Sequence, residues 1–288
     1  MKLTPEQIKG RIKNVAKQNH ADARSLMRLY MMERFLERIA CSEYRDNFII
    51  KGGVLVTAMV GVAFRSTMDI DTTVRDHNLS HEDAKRIFEE IKNIDLNDGI
   101  TFEIKESTTI MDEMEYPGVR FMINAKMEKL ITPMKIDIST GDVITPQAIE
   151  YQYKLLLEDR SIQLWTYNLE TILAEKLQTV LARGILNTRM RDFYDIRTLL
   201  MIYEKEIKED ILTQAFKATC SKRGTEKLKD ESPTIVTAIE TDQRMRTLWE
   251  LYRKKFLYAA GISYSEAIES LKMLLNKIVS EQTDELGK

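Results

Sequence analysis

The chain has 288 residues, 43% of them hydrophobic and 31% charged, with a formal net charge of −2. That balance excludes a disordered or fibrous chain and allows two compact units or one elaborated fold. Two cysteines far apart, Cys41 and Cys220, exclude a disulfide framework and a zinc site of cysteine pairs. No run approaches the roughly 18 apolar residues of a membrane span, and the opening MKLTPEQIKGRIK lacks the apolar core of a signal peptide, so the expectation is a cytoplasmic protein.

Taken in chain order, residues 1–45 read as helices. Leu26, Leu29, Tyr30, Met32, Phe35, Leu36 and Ile39 recur at three- and four-residue steps behind Asp22, a capping residue. NFIIKGG is a short apolar run that ends in two glycines, which predicts a buried strand entering a sharp turn, with a helix over 54–62 to follow. STMDIDTTV, TFEIKES, VRFMINAK and PMKIDIS are β-branched or alternating, and a helix capped by Ser80 interrupts them. After a loop containing Pro146, SIQLWTY is the predicted final strand. Asn168 then caps a helix that Gly184 ends, and helical spacing dominates onward through RDFYDIRTLLMIY, ETDQRMRTLWELYRKKFLYAA and SYSEAIESLKMLLNKIVSEQ. The expected organisation is α+β: N-terminal helices over 1–45, a mixed-sheet core over 46–166 and a helical domain over 167–288.

Asp69 and Asp71 stand one strand repeat apart, so both carboxylates point to one face while Ile70 points to the other. Two close carboxylates repel, and such a pair binds a divalent cation or shares a proton. Oxygen ligands favour magnesium or manganese. Alone, such a pair is more often two solvated acids on an edge strand. In KIDIS, Lys135, Asp137 and Ser139 face away from Ile136 and Ile138, which offers Asp137 as a third acid for two metals. Gly52 and Gly53 allow close backbone approach to phosphates at a helix start, although a glycine pair is most often only a turn. Lys176 shares a helical stripe with Ile172 and Val180, either snorkelling or reaching a nucleotide phosphate. Arg189, Arg191, Asp192 and Asp195 form a charge cluster just downstream, where Asp192 also suits a helix N-terminus.

The ordered set KGGVLVTAMVGVAFRSTMDID, KIDIS, LAEKLQTVLARG and RMRDFYDI resembles the AbiEii/AbiGii family of toxin nucleotidyltransferases of type IV toxin–antitoxin systems, which includes the MenT toxins. The resemblance implies a polymerase β-like nucleotidyltransferase core, with metal held by Asp69 and Asp71 and, by position, Asp137. It implies nucleotide contacts from Gly52, Gly53 and Lys176, a catalytic contribution from Asp192, and a phosphate-binding surface completed by Arg65 or Ser66. Gly-Gly stands where many nucleotidyltransferases carry Gly-Ser, so Ser66 or Thr67 would have to supply the missing hydroxyl. The implied reaction transfers a nucleotide from an NTP, with Mg2+ or Mn2+, to an RNA acceptor such as the tRNA 3′ end, halting growth or serving phage defence. A cognate antitoxin from an adjacent gene is the implied partner.

Charge distribution bears on the acceptor. Residues 1–38 carry nine Lys/Arg against four Asp/Glu, and residues 216–256 carry ten against six. Lys222, Arg223, Arg244 and Arg246 are the RNA-contact candidates, and solvated helix faces are the plainer alternative. Two other functions stay open at this point: nucleotidyl transfer to a small antibiotic-type acceptor, and a catalytically silent nucleotide-binding module.

Overall fold

The structure, a computed structural model, describes residues 3–75, 79–110 and 118–279. Among them are ten α-helices and a seven-stranded mixed sheet, the α+β architecture expected from the sequence. The chain divides into two compact units, 1–142 with 148–167, and 143–147 with 168–288.

The first unit opens with α1 (Pro5–Gln18) and α2 (Ala23–Cys41), capped by Thr4 and Asp22. Both the apolar and much of the charged surface of α2 are buried, a cost that paired charges offset. Arg38 forks onto Asp98 at 2.9 and 3.0 Å. Arg34 bridges Glu37 and Glu158 at 2.9 and 3.0 Å. Glu33 accepts the Leu156 N–H at 3.1 Å, and burial pushes its carboxyl up to about 8. Phe35, Phe88 and Phe121 stack in series at centroid distances of 4.9 and 4.4 Å, with Phe102 edge-on to Phe35 at 5.3 Å, so α2 is fixed to the sheet by aromatic packing.

The sheet comprises β1 (Phe48–Lys51), β2 (Asp69–Val74), β3 (Ile100–Ile110), β4 (Gly118–Met127), β5 (Leu130–Thr140), β6 (Ile149–Lys154) and β7 (Ser161–Thr166), with α3 (Gly52–Val60) after β1 and α4 (His81–Lys92) after β2. Its spatial order is β3-β4-β5-β2-β1-β7-β6. The β2–β5 and β1–β7 pairs are parallel and the others antiparallel. This places β2, which carries the acid pair, between β1 with its glycines and β5 with Asp137. Strand β6 departs from the sequence expectation, which had SIQLWTY alone after the Pro146 loop. It is an edge strand with four of its six residues exposed, although IEYQYK alternates apolar and polar residues and buries Tyr153.

The second unit is helical: α5 (Leu169–Arg183), α6 (Met190–Tyr203), α7 (Glu209–Lys222), α8 (Leu228–Thr241), α9 (Gln243–Lys255) and α10 (Tyr264–Val279). Asn168 caps α5 by accepting the Thr171 N–H at 2.8 Å. Gly184 ends it at φ +49, a conformation that favours glycine. The helix expected through KKFLYAA stops at Lys255 and gives way to a 3-10 turn over Leu257–Ala259. The last predicted helix runs on to residue 282, and its residues 280–282 lie outside the described ones. Among the described residues no helix is long and apolar enough to cross a membrane.

Candidate active site

The site is a consequence of strand register. Lys51, Asp71, Asp137 and Arg120 lie opposite one another across β1, β2, β5 and β4, and one strand repeat along the same face Asp69 lies opposite Lys135. One row thus sets two neighbouring carboxylates between two cations, the next pairs Asp69 with Lys135, and both share one face of the sheet. Arg120 grips Asp137 through Nε at 2.9 Å and Nη2 at 3.0 Å. The Lys135 ammonium stands between rows, 3.2 Å from Oδ2 of Asp69 and 3.4 Å from Oδ2 of Asp137. Burial opposes a charge on Lys135, yet Asp137 and Asp69 together hold its pKa above the ordinary lysine value.

The glycines fit this face closely. Gly52 has φ +62, and a Cβ placed there would lie 2.1 Å from Oδ2 of Asp71. Only glycine satisfies both the backbone and the contact. The Gly53 N–H donates to Oδ2 of Asp71 at 3.3 Å, and a Cβ on Gly53 would meet Thr67 Oγ1 at 2.6 Å. Burial, followed by repulsion from Asp137, raises the Asp71 carboxyl above the usual carboxylate range, while Lys51 and the Gly53 N–H work against that rise. Lys51 donates to Ser139 Oγ at 2.8 Å and pairs with Asp142, which also accepts the Tyr167 hydroxyl, so the residue entering the glycine turn is fixed from β5 and the ends of β5 and β7.

An oxygen-only pair on one strand, with Asp71 disfavoured as a lone anion, is the donor chemistry that suits a hard divalent cation. Asp69 and Asp71 fit that role. Asp137 is already engaged by Arg120 and Lys135, and among the described residues no group of three or more His, Cys, Asp or Glu side chains is assembled as a metal site.

Other residues singled out in the sequence take varied places. Arg65 is buried, and its Nη1 donates to Gly53 O at 2.6 Å and Thr57 Oγ1 at 3.0 Å. It braces the turn instead of facing solvent, because a buried guanidinium must satisfy its N–H groups within the protein. Ser66 is half-buried, while Thr67 is buried with its hydroxyl on Asp69 O at 3.3 Å. In the second unit Lys176 donates to Asp192 at 2.8 Å and Asp195 at 2.7 Å, and Arg189 closes on Asp192 at 2.9 Å. Lys222 is exposed, but Arg223 is not a surface cation: it pairs with Gln178 at 2.5 Å and Glu175 at 3.3 Å. Arg244 and Arg246 are exposed, with bonds to Ile185 O and Glu240 O. Sequence reasoning passed over Arg120, Lys51 and Asp142. Alternation within VRFMINAK was the available signal for Arg120, but its partner depends on the β4–β5 register.

The sheet, the glycine turn and the paired acids together define a nucleotidyltransferase. The family model for the nucleotidyl transferase AbiEii toxin of type IV TA systems matches residues 34–272, and the chain belongs to that family. Among solved structures it resembles MenT4, a nucleotidyltransferase toxin of Mycobacterium tuberculosis H37Rv, at 15% identity and TM-score 0.57, over 93% of this chain and 98% of that one. JHP933 from Helicobacter pylori aligns at 17% identity and TM-score 0.49, over 92% and 97%. A search of curated proteins by sequence found no significant match.

Proposed function

We propose that the protein transfers a nucleotidyl group from an NTP to an RNA acceptor, the 3′ end of a tRNA, and so halts growth as the toxin of a pair that includes a cognate antitoxin, in the service of phage defence. Nucleotidyltransferases of this kind use an NTP and divalent metal. The observation that carries the reading is the fit of Gly52 against Asp71: a glycine turn in which any Cβ would strike a carboxylate oxygen.

Asp69 and Asp71 hold Mg2+ or Mn2+, with Asp137 as the third acid where two cations bind. The chemistry such cations supply when bound is neutralisation of charge on the phosphates. The acceptor hydroxyl oxygen bonds to the α-phosphorus, the bond to the bridging oxygen breaks, pyrophosphate leaves and the hydroxyl proton is lost. Gly52 and Gly53 let the nucleotide approach the start of α3, whose first N–H groups lack helical partners and suit phosphate, with Ser66 at the edge of the same turn. Lys176 and Asp192 take the nucleotide-handling roles that the resemblance implies. Lys222, Arg244 and Arg246 supply phosphate contacts to RNA, a role that the burial of Arg223 removes from that residue.

The test is incubation of the purified protein with total cellular RNA and each of four labelled NTPs. Label on RNA of tRNA size from one NTP is the expected result. Label on no RNA, with small acceptors labelled instead, would overturn the RNA assignment.

A further inference from the structure

Lys135 was placed by sequence alternation on the face of Asp137, and the structure gives that placement a consequence. Its ammonium sits 3.2 Å from Oδ2 of Asp69 and 3.4 Å from Oδ2 of Asp137, so it already occupies the point between these two acids. The two pairs are not alike. Arg120 holds Asp137 by a two-point fork, a rigid geometry that is costly to rearrange. Lys135 is a point charge on a flexible four-carbon stem with about a quarter of its side chain exposed, and it can swing aside without breaking the fork. Resting on the assignment of Asp69 as a metal ligand, we propose that the Lys135 ammonium and a divalent cation are alternative occupants of Oδ2 of Asp69 and Oδ2 of Asp137, and that the displaced Lys135 turns to a phosphate of the nucleotide.

Two consequences run in opposite directions. Without its competitor, the acid pair should bind a divalent cation more tightly. Without the swung-out ammonium, the same protein should bind nucleotide more weakly. A residue that merely braces the sheet would weaken both together.

The experiment titrates full-length protein with Mn2+ in the absence of nucleotide, followed by electron paramagnetic resonance, for wild type, Lys135→Met, Lys135→Arg and Asp69→Asn. Thermal melting establishes that each variant is folded. Each of ATP, GTP, CTP and UTP is then titrated in the presence of saturating Mn2+. Lys135→Met should bind Mn2+ about two- to fivefold more tightly, the range expected for loss of a partly exposed ion pair. It should also bind the preferred nucleotide more weakly, while Lys135→Arg, whose planar fork grips carboxylates harder than an ammonium does, should bind Mn2+ no more tightly than wild type. Equal or weaker Mn2+ binding by Lys135→Met, beside a wild type that binds Mn2+ through Asp69, would overturn the proposal alone. Indifference of Mn2+ binding to Asp69→Asn would overturn the metal assignment of Asp69, and the proposal with it.

Discussion

Two clusters of lysine and aspartate serve as a natural contrast, the acidic face on β2 and β5 and the knot between α5 and α6. In the knot, the side chains of Lys176, Asp192 and Asp195 are 12%, 4% and 0% exposed, and both acids lie within 2.8 Å of the ammonium. On the sheet face, the side chains of Lys135, Asp69 and Asp137 are 26%, 39% and 5% exposed, and the ammonium stands at 3.2 and 3.4 Å from its acids. The first arrangement is closed, since its lysine and both acids are buried and a buried ion pair that loses its cation is strongly destabilised. The second is open to water at Lys135 and Asp69, and its buried acid keeps the Arg120 fork, so its ammonium can be exchanged at small cost. The same residue types thus form a buried cluster in one unit and a partly exposed one in the other, and burial sets how much each ion pair contributes to stability.

That contrast breaks most visibly in stability. Lys176→Met leaves Asp192 and Asp195 without their shared cation and should cost about 3–5 kcal/mol, whereas Lys135→Met should cost under about 1 kcal/mol. Denaturant unfolding of the two variants checks this, and equal losses would erase the distinction. Gly52→Ala should come next in size. Its αL backbone alone costs about 1–2 kcal/mol, and because the new Cβ must displace the Asp71 carboxylate, transfer activity should vanish from a protein that still melts cooperatively. Retention of normal activity would show that the glycine turn does not set the position of Asp71.

A pH-dependent effect sharpens the role of burial away from the site. Burial holds the Glu33 carboxyl up to about 8, so the folded chain binds that proton more tightly than the unfolded chain. Stability from this group is greatest below the ordinary value of 4.5 and falls as pH rises from there to about 8, by at most about 1.4 kcal/mol per pH unit. Glu33→Gln should flatten that slope in urea unfolding measured across the same window. A slope unchanged by the substitution would show that Glu33 is not the group responsible.

Much of the architecture was legible because local signals agreed with the tertiary result. Asp22, Ser80 and Asn168 cap their helices as their spacing predicts, and the period-two patterns of DIDTTV and KIDIS become adjacent strands. Strand β6 was legible in the alternation of IEYQYK, a signal too short and too exposed at Ile149 to stand out beside SIQLWTY. The glycine–acid arrangement was visible as residue types, but the contact between Gly52 and Asp71 depends on the antiparallel β1–β2 register, which places Lys51 opposite Asp71. Arg65 and Arg223 show the converse limit. In sequence Arg65 reads as part of a phosphate-binding surface and Arg223 as an RNA contact, while in the fold they brace Gly53 and Gln178, because which guanidinium is buried depends on packing between segments distant in the chain.

The most direct measurement of the central claim is transfer of label from an NTP to RNA by Asp71→Asn, compared with wild type at equal folded fraction. Asparagine keeps the shape and the acceptor for the Gly53 N–H while removing the charge. If Asp71 carries the reaction as a charged ligand, transfer should fall by about a thousandfold or more, since such an interaction contributes several kcal/mol to the barrier, with the melting temperature held or raised by relief of repulsion from Asp137 and Asp69. Transfer within about tenfold of wild type, a barrier change of only ~1.4 kcal/mol, would contradict the account.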